Sequence, residues 1–399
     1  MDSALRSRID AVIDRVDIAQ IVGQVIKLGK GHKPRGKCPF HGSNSDSFAV
    51  DPDKNRAKCW GCDWQGDVIK FVQDIRGLPF IEALKALEDG AGISPGEVAP
   101  VMRAKRERPP SDAVSSTDMG RYLWKQSKPD TDAVRTYLVA RGVPQWILTD
   151  ARLNDIRFVG SAPIMAWPAN RKPTSVPQAP AMVALVRRAP EWMPIGVHAT
   201  FLAPDLSGKM DRLRGDGSAY PARKMLGDMG GGAVLLGAYA ANLPLFVGEG
   251  VETTLSGMAI ALDGSGDADA AIGLAALSLG TLQGSPKLIK GALPLYDPRP
   301  DPDGAAALAF AHDGPVTGLI DADMKPLRGR VDMQTGEATG VALIERQRGP
   351  IIYRTMTTQE RASVCGALFV HAWRAQGCRA RAVRPHMGQD FSDAIRRTG

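Results

Sequence analysis

Cysteine is scarce in this chain, five in 399 residues. The odd total, and a start of Met1-Asp-Ser-Ala-Leu-Arg6 without an apolar leader, give neither a disulfide framework nor a secretory signal. Long hydrophobic runs are missing too. The most apolar stretch, Ala233 to Val247, is broken by Gly237, Asn242 and Pro244, which argues against a membrane span. The expected compartment is therefore the cytoplasm, and Cys365 and Cys378 are expected to be buried thiols. A phosphate-binding loop of the Walker type is also lacking. Gly31-His-Lys-Pro-Arg-Gly36-Lys37 has most of the spacing, but Cys38 stands where Ser or Thr should reach magnesium, so an ATPase reading fails. Acidic residues are the minority, 43 against 50 Lys and Arg. The net charge of +7 favours an acidic partner such as nucleic acid.

The few cysteines are concentrated. Cys38-Pro-Phe-His41 is followed after seventeen residues by Cys59-Trp-Gly-Cys62. Each pair sits on a tight turn, and Ser47-Phe-Ala-Val50 and Arg56-Ala-Lys58 between them read as short strands. Two such turns at adjacent strand ends close a tetrahedral Cys3His site with no open position, the mark of structural Zn2+. Lysines and arginines crowd the ligands, Lys37 and Lys58 among them, with Phe40, Phe48, Trp60 and Trp64 interleaved. Cations for phosphates beside aromatic faces for bases suit single-stranded nucleic acid. Phe48 and Phe71 are expected in the ribbon's core, and Trp60 on an exposed face.

Lys37-Cys-Pro-Phe-His41, Ser47-Phe-Ala-Val50, Cys59-Trp-Gly-Cys62 and Gly66-Asp-Val-Ile-Lys-Phe-Val72 resemble the zinc-binding domain of bacterial, DnaG-type DNA primases. The resemblance covers about the first ninety residues. It departs at Gly42 to Asp46, where that family carries an acidic residue and then Thr-Pro.

Residues 1–94 are thus expected to form a zinc ribbon that binds DNA, and the Pro-, Ser- and Arg-rich residues 95–118 a flexible basic linker. Residues 119–235 read as a mixed α/β subdomain. Its element Tyr137-Leu-Val-Ala-Arg-Gly142 resembles the opening of the primase catalytic region. A basic stretch follows at Lys209, Arg212, Arg214, Arg223 and Lys224. By the resemblance, Arg223 and Lys224 would contact template or nucleotide.

Residues 236–399 carry the carboxylates. Leu243-Pro-Leu-Phe-Val-Gly-Glu249-Gly250 is an apolar strand ending in an acid and a glycine, followed by a helix. Open α/β sheets place their active sites at such carboxyl ends. Val316 to Ile320 is a second strand, ending in Asp321-Ala-Asp323, whose alternation would set both acids on one side. Cys378 to Arg384 is a third, leading to Asp390 and Asp393. Carboxylates about 4 Å apart repel by roughly 4 kcal/mol at an intermediate dielectric. A divalent cation resolves this, and oxygen ligands without His select Mg2+ or Mn2+. A rival pair, Asp301 and Asp303, has better spacing, but the prolines before it bar a central strand.

This pattern resembles the toprim fold, in the Glu-Gly-x-Glu variant of primases from phages and other mobile elements, with Glu252 in place of the usual Asp. The resemblance implies Glu249 as catalytic acid, Asp321 and Asp323 as metal ligands, and Asp390 and Asp393 completing the site. It departs in the long gap from Glu249 to Asp321 and in an inserted, hairpin-like segment at about 325–359, before a helix from Gln359 to Ala375. The expected architecture is multidomain, α+β and α/β. The expected activity is a nucleotidyltransferase making RNA primers on single-stranded DNA from ribonucleoside triphosphates. The chain ends shortly after Asp393 without a helicase-binding domain, so the expected partner is a separately encoded helicase. A toprim nuclease and an inactive single-strand-binding protein are the alternatives.

Overall fold

A computed structural model describes residues 3–31, 33–40, 46–59, 64–90, 113–215, 219–263, 265, 267–327, 330–331, 338–386 and 388–398. The expected ligands His41 and Cys62, Trp60 and most of the expected linker lie outside them. The chain divides into two compact units, one of residues 1–110, 326–343 and 351–356, the other of 111–325, 344–350 and 357–399.

In the first unit, α1 (Ser3–Arg15) and α2 (Ile18–Gly23) precede a four-stranded antiparallel sheet: β1 (Arg35–Gly36), β2 (Phe48–Asp51), β3 (Arg56–Cys59) and β4 (Gln65–Asp67). Two helices follow, α3 (Val68–Arg76) and α4 (Phe80–Gly90). The strands β2 and β3 coincide with the two short apolar runs of the sequence. The turn between them is fixed by Asn55, a fully buried residue at φ 48°. Its Oδ1 accepts from Ile18 N at 2.9 Å and its Nδ2 donates to Ile13 O at 2.8 Å, so one amide joins the sheet to the α1–α2 junction. Asp67 caps α3 through Lys70 N at 2.8 Å. Arg8 closes the unit with a two-pronged bond to Glu88, at 2.8 and 2.7 Å.

The second unit is built on a nine-stranded mixed sheet. α5 (Ser116–Gln126) and α6 (Thr131–Ala140) lead into β5 (Ile156–Pro163), β6 (Gln178–Arg188), β7 (Met193–Phe201), β8 (Arg223–Gly227) and β9 (Gly232–Leu236). β10 (Leu245–Gly248), α7 (Val251–Leu262), β11 (Ile272–Ala275), α8 (Leu279–Gln283), β12 (Leu293–Pro294) and β13 (Val316–Leu319) come next. α9 (Thr358–Ala375), β17 (Ala380–Val383) and α10 (Phe391–Thr398) complete this unit, while the intervening short strands β14 (Arg330–Val331), β15 (Ala338–Ile344) and β16 (Ile352–Arg354) fall, but for Ile344, in the segments assigned to the first unit.

The sheet order is β17-β13-β10-β11-β9-β6-β7-β8, with β5 also on β6. β17, β13, β10 and β11 are parallel, and β9 joins them antiparallel to the meander β6-β7-β8. The boundary read at 235/236 therefore falls inside one continuous sheet. α7 lies close on this sheet because two glycines let it. A Cβ at Gly257 would meet Leu319 at 2.6 Å, and one at Gly248 would meet Thr254 Oγ1 at 2.6 Å. Within the expected insertion β15 pairs antiparallel with both β14 and β16, in accord with its hairpin-like reading. α9 begins with a reciprocal cap between Thr357 and Glu360.

Candidate functional site

In the ribbon, Cys38 and Cys59 are both buried, 2% and 0% exposed. The Phe40 amide donates to Cys38 Sγ at 3.4 Å, across the turn that carries the first ligand pair. A buried sulfur with a backbone N–H aimed at it fits a zinc-bound thiolate. Lys37 is exposed and Lys58 half-buried on β3. Phe48 and Phe71 are fully buried, as expected, and Phe40 and Trp64 join them. Phe40 stacks on Trp64 at 4.4 Å, and both touch Phe48 and Phe71. Trp64 Nε1 donates to Asp74 at 2.7 Å. Packed against one another and against the apolar side chains of α1 to α4, these rings belong to the core of the unit.

The parallel register of the second unit builds an acidic pole. Gly248 pairs with Leu319 and Leu319 with Val383, so the three chains leave the sheet side by side. Glu249 follows β10 directly and is half-buried. Asp321 lies two residues beyond β13. The sequence reading of alternation along a continuing strand does not apply, because β13 has already ended. The loop is held instead by Ala322 N on Gln389 O and Gly388 N on Ala322 O, both 3.0 Å. That stitching brings Asp390 toward Asp321 and Asp323. Asp390 also caps α10, accepting from Asp393 N at 2.7 Å. Asp393, in the first turn of α10, is exposed and 3.7 Å from Arg396. The rival acids Asp301 and Asp303 sit in a turn, with no strand of the nine-stranded sheet running into them and no helix directly after.

Asp321 is the most perturbed of these acids. Its Oδ2 accepts from Thr253 Oγ1 at 3.1 Å, while its Oδ1 is buried without a hydrogen-bond partner. Burial, then the negative charges of Glu249, Asp323 and Asp390, push its carboxyl up to about 7. Asp323, though exposed, is raised by burial and by Asp390 and Asp393. Among the described residues no three or more His, Cys, Asp or Glu stand close enough to form a ready-made metal site. The orphaned Oδ1 and the all-oxygen donor set nonetheless fit a hard divalent cation.

A basic pole lies on the other side of the first turn of α7. Glu252 Oε1 accepts from Tyr137 Oη at 2.7 Å and from Lys209 Nζ at 2.9 Å. Burial pushes this carboxyl up, but the Lys209 charge and the two hydrogen bonds outweigh it and hold it at about 2. Burial, then the Glu252 charge and its hydrogen bond, raise the Tyr137 hydroxyl, against the positive charges of Arg141 and Arg223. His198, on β7 beneath them, is pushed down to about 4 by burial and by Arg223. Arg223 pairs with Thr200 and shares its face with His198, whereas Lys224 pairs with Ala199 on the opposite face. The two adjacent cations expected to act together are thus split across the sheet.

Comparisons with known proteins bear on the ribbon first. Residues 4–99 match the family model of the CHC2 zinc finger, the zinc ribbon of DnaG. This region is a DnaG-type zinc ribbon. DNA primases share it: that of Geobacillus stearothermophilus is 41% identical over 86 residues, 21% of this chain and 14% of that protein. The DNA primase of Listeria monocytogenes is 31% identical over 151 residues, 35% of this chain and 24% of that one. For Staphylococcus aureus the values are 31% over 165 residues, 40% and 26%. The chain therefore spans about a quarter or less of these relatives' length. Residues 115–236, downstream of the ribbon, match a domain of unknown function, DUF7146. Among solved structures, the zinc-binding and RNA polymerase domains of the Aquifex aeolicus primase align with all of this chain and 83% of that one. The identity is 16% and the TM-score 0.31, too loose to carry an argument.

Sequence reasoning missed the Tyr137–Glu252–Lys209 cluster, although each residue lies in a segment it singled out. It also missed Arg152, a fully buried guanidinium on the carbonyls of Leu236, Ala268 and Ala271. No residue pattern near Arg152 marks it.

Proposed function

We propose that the chain is a primase-type nucleotidyltransferase, extending an RNA primer on single-stranded DNA from ribonucleoside triphosphates. The observation that carries this reading is the buried, unpartnered Oδ1 of Asp321 at the carboxyl end of a parallel strand, in a chain that begins with a DnaG-type ribbon. In this reading the second unit is a toprim-like catalytic region, and Asp321, Asp323 and Glu249 would hold Mg2+ or Mn2+, with Asp390 alongside. A bound divalent cation would supply charge neutralisation at the reacting phosphate. Glu249 would receive the proton of the attacking 3′-hydroxyl. That oxygen bonds to the α-phosphorus, the bond to the β-phosphate oxygen breaks, and pyrophosphate leaves. Arg223 and Lys209 offer positive charge to the triphosphate. The ribbon, with Lys37 and Lys58, would hold the template.

The test is incubation of the full chain with single-stranded DNA, labelled ribonucleotides and Mg2+, beside Asp321→Asn and Asp301→Asn. Short labelled oligomers from wild type and Asp301→Asn, absent from Asp321→Asn, are expected. A shortened template in place of oligomers would replace this reading with a nuclease.

A further inference from the structure

Glu252 lies one helical turn after Glu249, where an acid invites assignment as another metal ligand. Its surroundings point elsewhere. Its side chain is 11% exposed, and one oxygen carries both the Tyr137 hydroxyl and the Lys209 ammonium. Its Oε2 lies over Gly250, 3.6 Å from where a Cβ there would stand. A cation binding Glu252 would have to displace two donors and leave both unpaired in a largely buried place, which is costly. Asp321, two residues beyond Leu319, the register partner of Gly248, shows the opposite condition, an oxygen with no donor at all.

The three partners come from three separate elements. Tyr137 is on α6 and fully buried. Lys209 ends a hairpin running out of β7, held by Ala203 N on Gly208 O at 2.9 Å and Met210 N on Phe201 O at 2.9 Å. Glu252 opens α7, next to the Thr253 that bonds Asp321. An ammonium has three N–H donors. One goes to Glu252, and with its side chain 28% exposed Lys209 can direct another outward. Arg223 adds a second positive charge acting on Tyr137 and His198.

We infer that Glu252 is a positioning residue and not a metal ligand: it fixes the Lys209 ammonium beside the carboxylate pole, where that cation meets a phosphate of a nucleoside triphosphate. Only the identity of the anion rests on the polymerase reading.

The test uses the full chain in three variants, Glu252→Gln, Lys209→Met and Asp321→Asn. Mn2+ binding followed by electron paramagnetic resonance should be unchanged within about twofold in Glu252→Gln and at least about tenfold weaker in Asp321→Asn. In primer synthesis, Glu252→Gln and Lys209→Met should each raise KM for the nucleotide about tenfold with kcat little changed. Combining them should be no worse than Lys209→Met alone, and Glu252→Asp should recover part of the loss. A purely structural role would lower the active fraction and leave KM alone. Mn2+ affinity falling in Glu252→Gln as far as in Asp321→Asn would overturn the assignment, as would fully additive KM effects. If wild type makes no oligomers, the polymerase reading fails on its own, and the Mn2+ comparison still decides whether Glu252 is a ligand.

Discussion

On either side of the first turn of α7, two carboxylates meet opposite fates. Asp321 is pushed up to about 7, and Glu252 is held at about 2. Burial acts on both in the same direction, toward the neutral acid, so burial does not separate them. The neighbours do. Asp321 has three carboxylates and one hydroxyl around it. Glu252 has an ammonium and a phenol. Each pKa unit corresponds to about 1.4 kcal/mol, so the two sites differ by several kcal/mol in how they treat a negative charge. The acidic pole stores repulsion that a cation would relieve. In the basic pole the Glu252 charge is already met by Lys209. A site of this kind can take up a metal on one side without disturbing the cations on the other.

The largest expected effect tests whether this contrast is confined to one unit. Cys59→Ser removes a zinc ligand, and structural zinc contributes on the order of 10 kcal/mol to a ribbon's folding. The ribbon should unfold and bound zinc, measured by atomic absorption, should vanish, while the second unit keeps its own cooperative melting transition. Loss of both transitions together would mean that the poles depend on the ribbon. Next in size is Asp321→Asn. Removing a metal-holding carboxylate should lower primer synthesis roughly 10³-fold. Without divalent cation at pH 8 the same change should stabilise the fold by on the order of 2 kcal/mol, because it removes a charge from among Glu249, Asp323 and Asp390. A destabilised Asp321→Asn protein would show that the acidic pole stores no repulsion.

The contrast itself was only half legible in the sequence. β10, β13 and α9 were readable because their signals are local: apolar runs ending in Glu249-Gly250 or Asp321, and a helix pattern from Gln359 to Ala375. β2 and β3 were readable for the same reason. Long-range pairing was not. Tyr137 and Glu252 are 115 residues apart, and their contact follows from the packing of α6 near a sheet whose parallel and antiparallel halves join through β9. Sequence alternation put Asp321 and Asp323 on one strand face. The actual cause of their placement is a backbone stitch to residues 388 and 389, which leaves no mark in either segment. In the ribbon, aromatic spacing suggested faces for bases, but it could not reveal that Phe40 and Trp64 stack on each other.

The basic pole can be broken from its other member. Lys209→Met keeps the aliphatic stem and removes the charge, leaving Glu252 buried on the Tyr137 bond alone. Unpairing a buried carboxylate costs about 3 kcal/mol, and urea unfolding should show a loss of that order. An unchanged midpoint would mean that the ion pair does not stabilise the fold, and would weaken the distinction between the poles.

The smallest effect is a pH dependence from His198, which lies in the basic pole and faces Arg223, Glu252 and Lys209. Its folded pKa of about 4 is below the 6.5 usual for an imidazole. Between those values the unfolded chain binds a proton that the folded protein refuses, so stability contributed by the neutral ring is present above pH 6.5 and is lost as pH falls toward 4. From pH 7 to 5.5 the loss is about 1 kcal/mol. Asp321 titrates in the same window with the opposite sign, since its raised carboxyl favours the folded state as pH falls. Wild type alone would therefore show little slope. The measurement that isolates His198 is the difference between wild type and His198→Gln, in which the Asp321 contribution cancels. Wild type should lose about 1 kcal/mol more than the variant over that interval. Parallel pH profiles would mean that His198 is not held neutral beneath the cations, and that the positive charge of the basic pole reaches less far into the sheet than Arg223 and Lys209 imply.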